Sequence, residues 1–218
     1  MKITEHHFNI QRTARYQLIG STGPNVEHLF FAFHGHGHLS RYFAKQFEEM
    51  ASDKTLIVVP EGLHRYYLDK EHKRVGSSWM TREDRLNDIS DIILFLNGLH
   101  KSIIQECPNV KHISLFGFSQ GTATAARWAA KGNINADDLI LWAGGLPPDL
   151  ETLELDRIRK TKLVVALGDQ DEFISEEVLR EEMTRVNALG LYPHVIRFVG
   201  KHAIPKEPLL ELQEYLGI

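Results

Sequence analysis

His112-Ile113-Ser114-Leu115-Phe116-Gly117-Phe118-Ser119-Gln120-Gly121, followed by an Ala-rich stretch, decides how this chain is read. The apolar run from His112 to Phe116 has the length and composition of a buried strand. Ser119 to Ala130 reads as a helix. Between them, Gly117 to Gly121 has the form G-x-S-x-G on a strand-turn-helix junction. Such a turn holds its central residue in a strained conformation, and its flanking positions must be almost free of side chain. The outcome is an exposed Ser119 hydroxyl at the positive end of a helix, where developing negative charge is stabilised.

Working outward, strands and helices alternate. Two early strands are expected at Ile3 to Ile10 and Arg15 to Ile19, then a wholly apolar one at Leu29 to Phe33. Ser40 to Ala51 reads as a helix with Ser40 as N-cap and Phe43, Phe47 and Met50 on one side. A strand at Thr55 to Val59 and an irregular stretch from Leu63 to Thr81 follow. The longest helix spans Arg82 to Glu106, with Leu86, Ile89, Ile92, Ile93, Leu96, Leu99 and Ile103 at helical spacing. Beyond the Ser119 helix come strands at Leu139 to Trp142, Lys162 to Leu167 and His194 to Val199. A helix at Ser175 to Leu189 and a terminal helix at Pro205 to Tyr215 complete the pattern. This alternation predicts one α/β domain over 1–218, a mainly parallel sheet with helices on both faces. Chemistry in such sheets gathers at the carboxyl ends of the strands.

A serine nucleophile needs a base, and the base needs an orienting carboxylate. After a serine elbow of this kind the acid and then the histidine follow in chain order. The strand ending at Leu167 runs into Gly168-Asp169-Gln170-Asp171, and the one ending at Val199 into Gly200-Lys201-His202. Asp169 sits in the turn, where Asp commonly bonds its own backbone, so Asp171 is the favoured acid, with Asp169 as the competitor. His202 is the candidate base; His194 opens a strand and reads as a packing residue. The oxyanion hole would join the amide of Gln120 to that of His36 in His34-Gly35-His36-Gly37-His38. The same three histidines offer a competing reading as ligands of a metallohydrolase, although they lack the i, i+4 helical spacing of common zinc sites.

The chain has 218 residues, 43% hydrophobic and 25% charged, with a net charge of -4. These values suit a globular protein, and no basic face for nucleic acid is implied. The single cysteine, Cys107, leaves no internal disulfide and reads as a packed thiol before Pro108. The N-terminal residues lack the apolar core of a signal peptide, and no membrane-spanning run occurs, so a cytoplasmic location is expected.

With these motifs assembled, the chain resembles the α/β-hydrolases. More narrowly it resembles the phospholipase/carboxylesterase family, which includes acyl-protein thioesterases. Gly117-Phe118-Ser119-Gln120-Gly121 carries the likeness, as does Ala143-Gly144-Gly145-Leu146-Pro147, which is similar to the family's Ser-Gly-x-Leu-Pro. The resemblance implies Ser119 as nucleophile, His202 as base and Asp171 as its partner, acting on a small-molecule ester or thioester without a cofactor or metal. Trp79 and Leu146 become candidate substrate-binding residues. Departures exist: Ala143 replaces the usual serine, and Leu63 to Met80 does not match the family's substrate loop. That stretch holds Arg65, Lys70, Lys73 and Arg74 beside Tyr66, Tyr67 and Trp79, the makings of a partial lid for an ester bearing an anionic group. The short segment from Gly145 to Lys162 leaves no room for a large cap. A non-catalytic ligand-binding version of the fold is the remaining alternative.

Overall fold

Six residues in a row from His28 to Phe33 are buried, and this strand lies inside a seven-stranded sheet. The computed structural model describes residues 2–218. In chain order the sheet strands are β1 (Tyr16–Ile19), β2 (His28–Phe33), β3 (Thr55–Pro60), β6 (His112–Phe118), β7 (Asp138–Trp142), β8 (Lys162–Gly168) and β9 (His194–Phe198). A separate hairpin of β4 (His64–Tyr67) and β5 (Val75–Ser78) stands apart from them. Their spatial order is β1-β3-β2-β6-β7-β8-β9, with β1 antiparallel and every other pairing parallel. The largely apolar character of β2, β3, β6, β7 and β8, polar mainly at their first residues, follows from helices covering both faces. Those helices are α1 (Ser40–Phe43), α2 (Arg85–Glu106), α3 (Gln120–Lys131), α4 (Thr152–Ile158), α5 (Glu176–Ala188) and α6 (Lys206–Leu216). The architecture is the α/β-hydrolase fold without a large cap, as expected.

Four local expectations need correction. Ile3 to Ile10 forms no strand: Ile3, Phe8 and Ile10 are 97%, 90% and 77% exposed, because the segment pairs with no neighbouring strand that would bury them. The helix expected from Ser40 to Ala51 is one α-turn followed by a 3₁₀ run over Ala44–Met50. Ser40 is not its N-cap. Instead the carboxylate of Glu61, at the end of β3, accepts both the Ser40 N–H and the Ser40 hydroxyl at 3.0 Å. Phe43, Phe47 and Met50 are buried as anticipated.

The stretch from Leu63 to Thr81 is less irregular than expected, since it contains the β4–β5 hairpin. Its connection is tied by Asp69, whose carboxylate accepts the amides of Lys73 and Arg74 at 2.9 and 2.8 Å. Helix α4, unanticipated, opens on a reciprocal capping box between Glu151 and Glu154. Cys107 is buried, and His194 stacks on Tyr215 with ring centres 4.0 Å apart, both as packing residues.

Candidate active site

The Gly117–Gly121 segment makes the sharp turn its sequence demands. Ser119 has φ 53° and ψ -118°, and its amide is held to the end of β7 by a bond to Trp142 O at 2.9 Å. A Cβ on Gly117 would lie 2.4 Å from Gly121 O, and one on Gly121 would lie 2.1 Å from Phe33 O. Those separations exclude any side chain, so the elbow and the end of β2 touch backbone to backbone. Thr122 locks the turn from inside the helix, its hydroxyl donating to Ser119 O at 2.7 Å.

Asp171 and His202 arrive from the ends of β8 and β9. His202 starts three strand positions from β6, roughly 14 Å at normal spacing. The loop after β9 therefore doubles back over the strand ends. Gly168 permits this, for a Cβ there would sit 2.3 Å from Gly200 O. Trp142 Nε1–H fastens the return by donating to Ala203 O at 2.8 Å. As a result the His202 ring lies 4.8 Å from the Phe118 ring, directly beside the elbow, with Phe173 on another side at 4.7 Å.

Asp171 Oδ2 meets His202 Nδ1 at 2.7 Å, and the carboxylate is fully buried. Its other oxygen accepts the amides of Phe173 and Ile174 at 2.8 and 3.1 Å. These donors fix the carboxylate, which in turn fixes the imidazole. Asp169 has a different job: its Oδ1 accepts the Gly200 amide at 3.0 Å, bracing the loop that carries His202. Ser119 is half-buried, and among the described residues its hydroxyl is in no hydrogen bond.

The loop after β2 lies against the elbow, where a Cβ on Gly35 would be 3.3 Å from Ser119 Cβ. The amides of His36 and Gln120 donate to no protein acceptor among the described residues, which leaves both free for a ligand oxygen. The side chain of Gln120 points elsewhere. It accepts the Trp79 amide at 3.2 Å and donates to Met80 O at 2.9 Å, stapling the end of the hairpin to the elbow.

The three histidines of this loop do not converge as a ligand set. His34 is wholly buried, and its Nε2 accepts the Gly62 amide at 3.0 Å, so Nδ1 carries the proton and donates to Gly35 O at 2.7 Å. Burial pushes its imidazole down to about 4, against the opposing pull of the Gly35 bond. His36 turns outward to Tyr66 Oη at 2.5 Å and Ser78 Oγ at 3.3 Å. His38 stacks on Phe118 at 5.8 Å, and burial, then the nearby His202 and His36, lower its basicity. Among the described residues, the group able to share an ion is His28, His112 and Asp138, at the opposite ends of β2, β6 and β7.

Two candidate substrate-binding residues are corrected. Trp79 is wholly buried: its Nε1–H donates to His34 O at 2.8 Å and its ring stacks on His34 at 4.8 Å. It supports the loop from beneath. Leu146 is 3% exposed, with its amide bonded to Glu182 at 2.8 Å. Aromatic content in a polar loop and a Leu-Pro motif do not reveal which way a side chain faces.

Sequence reasoning passed over Glu61. Its side chain is fully buried and accepts Arg15 at 2.7 Å, Arg65 at 2.8 Å and Ser40, joining the segment leading into β1, the hairpin and α1 around the loop. Burial pushes this carboxyl up, but the hydrogen bonds from Arg65, Arg15 and Ser40 outweigh it and hold it below the usual range. Its place at the carboxyl end of a parallel strand was the available signal.

Beside His202 opens a cleft of about 600 Å³, an ordinary size for a small-molecule site. The β2–α1 loop, α1, the hairpin and the His202 loop form its walls.

The family model described as Serine hydrolase (FSH1) matches residues 27–211. No curated protein matches the sequence. Among solved structures, acyl-protein thioesterase 2 of Zea mays is similar with TM-score 0.69 and 15% identity, covering 94% of this chain and 98% of that one. A carboxylesterase from Mesorhizobium loti has TM-score 0.69 and 14% identity, with 94% of each chain covered. YahD with malic acid has TM-score 0.67 and 14% identity, covering 94% of this chain and 98% of that one. Among the described residues no helix is long and apolar enough to cross a membrane.

Proposed function

Since the chain belongs to the serine hydrolase (FSH1) family, we propose that it cleaves carboxylic esters or thioesters through an acyl-enzyme on Ser119. The observation that carries the reading is the 2.7 Å bond from the buried Asp171 carboxylate to His202 Nδ1, at an imidazole lying against the elbow. That bond leaves Nε2 as the basic nitrogen.

In this mechanism His202 Nε2 takes the Ser119 proton as Oγ attacks the acyl carbon. The carbonyl oxygen, now negative, is held by the His36 and Gln120 amides. His202 then gives its proton to the departing alcohol or thiol, leaving the acyl group on Oγ. Water, deprotonated by the same nitrogen, attacks the acyl-enzyme, and the proton returns to Ser119 as the acid leaves. Asp171 holds the useful tautomer and stabilises the imidazolium throughout. The free Ser119 hydroxyl is consistent with a hydrogen bond that forms only once substrate is bound.

Labelling with a fluorophosphonate tests the reading. The protein should be modified on Ser119, and Ser119→Ala should lose both labelling and hydrolysis of p-nitrophenyl butyrate. An unlabelled wild-type protein would mark the fold as a binding module instead. Chelator-sensitive hydrolysis surviving Ser119→Ala would point to metal chemistry.

A further inference from the structure

The chain carries more acidic than basic side chains, yet the cleft beside His202 is lined by no Asp or Glu. Its walls bring in three cations from two separate segments: Arg41 from α1, and Lys73 and Arg74 from the hairpin. None of the three takes part in an ion pair among the described residues. Elsewhere arginines are routinely paired: Arg15 and Arg65 with Glu61, Arg85 and Arg127 with Asp149, Arg185 with Glu182, Arg197 with Glu176. Of the two carboxylates in the hairpin turn, Asp69 is engaged by the backbone amides of Lys73 and Arg74, and among the described residues neither it nor Glu71 forms an ion pair with their side chains. Arg41 lies over the Tyr42 ring at 4.7 Å, a contact that steadies the guanidinium while leaving its N–H donors free.

The same lining contributes apolar surface from Leu39, Phe43, Phe118 and Ile204, beside the polar His38 and Gln46. A ligand that matches this arrangement has a short hydrocarbon body and an anionic end. Building on the esterase reading above, we propose that the cleft is a subsite for that anionic end, and that the substrates are carboxylate-bearing esters or thioesters. Of the four basic residues in the lid expected from sequence, only Lys73 and Arg74 reach the cleft. Arg65 is committed to Glu61, Lys70 lies outside the lining, and Arg41 takes their place.

The test compares p-nitrophenyl hydrogen glutarate with p-nitrophenyl valerate, in which a methyl replaces the carboxylate. Ser119→Ala serves as the blank for spontaneous hydrolysis of the glutarate. A second pair, 4-acetoxybenzoate against 4-acetoxybenzamide, carries the charge on the leaving group and shows which part of the ester enters the cleft. In at least one pair kcat/KM should favour the anion by about tenfold, given three solvent-exposed pairs of modest strength each. The preference should shrink towards unity in 1 M NaCl, where screening is nearly complete. It should fall in the triple variant Arg41→Ala/Lys73→Ala/Arg74→Ala and persist in Lys160→Ala, a charge deletion at the far end of the sheet.

Hydrolysis of all four esters with no preference for either anion, or a preference untouched by the triple variant, overturns the proposal and leaves the esterase reading standing. Binding of glutarate to Ser119→Ala by calorimetry separates the two ideas in the other direction. Salt-sensitive binding that the triple variant abolishes supports the subsite even if no ester is turned over, and its absence in such an inactive protein refutes the subsite as well.

Discussion

Asp171→Asn separates the orienting acid from every other role a carboxylate could have at this position. Asn is the same size, but its two ends differ: one accepts hydrogen bonds and the other donates. Asp171 now accepts on both, from His202 on one oxygen and from the Phe173 and Ile174 amides on the other. An Asn must choose. Keeping its carbonyl towards Phe173 and Ile174 turns its NH₂ towards His202 Nδ1. Flipping it would abandon two amides beside a fully buried group and set donor against donor, at about 1–3 kcal/mol for each unmet N–H. The first arrangement therefore wins by roughly 2–6 kcal/mol. In it Nδ1 must accept, so the proton moves to Nε2, the nitrogen that has to take the Ser119 proton. The corresponding change in a serine protease lowers kcat by about 10⁴, and a loss of that order is expected here. Steady-state hydrolysis of p-nitrophenyl butyrate measures it, with a thermal melt to show that the variant is folded. Asp169→Asn is the paired control, because an Asn carbonyl can still accept the Gly200 amide. If Asp171→Asn keeps a tenth of the activity, or Asp169→Asn proves the more damaging, the assignment of the acid is wrong.

Gly121→Ala should lower kcat/KM by at least about 100-fold, the scale of one lost oxyanion donor, because its Cβ would drive the first turn of α3 away from Phe33 O at 2.1 Å. A variant with near wild-type turnover would show that the elbow and the 34–38 loop are not held in register by that contact. Glu61→Gln should destabilise the protein by about 1–3 kcal/mol in denaturant unfolding, less than for a wholly buried pair because Arg15 and Arg65 are 40% and 42% exposed; an unchanged midpoint would refute it. Acid should weaken the fold before the carboxylates protonate. His28 and His34 are held down to about 4 by burial, against an ordinary 6.5, so between those pH values the unfolded chain binds more protons. Stability falls as pH drops from 6.5 to 4, by on the order of 3 kcal/mol for each histidine, and then levels for these groups. His28→Asn should flatten that slope in unfolding experiments at stepped pH, and an unaltered slope would remove His28 from the account.

What could be read in the sequence was what the backbone must do. Gly117 and Gly121 flank Ser119 because no Cβ fits there, and such a requirement leaves a mark in residue type. Asp171 and His202 were legible because parallel strands deliver their following loops to one end of the sheet. Side-chain direction left no such mark. Trp79 in a polar stretch reads the same whether it faces substrate or packs under His34, and only its indole bond to His34 O distinguishes the two. The hairpin was hidden because its turn is closed by the Asp69 carboxylate rather than by a glycine-bearing two-residue turn. Ile3 to Ile10 misled for the opposite reason: Ile3, Phe8 and Ile10 suggest a strand, but no partner strand covers them. Arg41 joined the site only through tertiary placement of α1 opposite the hairpin, which spacing along the chain cannot convey.

Gln120 links the two halves of the site, and its two ends can be separated by mutation. The backbone N–H is the proposed oxyanion donor, whereas the side chain holds Ser78, Trp79 and Met80 at the base of the hairpin. Gln120→Ala keeps the first and deletes the second. The loss uncovers the Trp79 amide and Met80 carbonyl, so a destabilisation of roughly 1–3 kcal/mol is expected. The chemical step should suffer less than binding, because the donor to the oxyanion is still present at the start of α3. The hairpin, however, supplies Lys73, Arg74, Val75 and Leu68 to the cleft, and loosening its base spreads those residues over more conformations. For p-nitrophenyl hydrogen glutarate, KM should therefore rise several-fold more than kcat falls, with a smaller change for the valerate ester. A fall in kcat alone, equal for both esters, would mean that the Gln120 side chain serves the elbow and not the cleft, and the hairpin would lose its place as a specificity element.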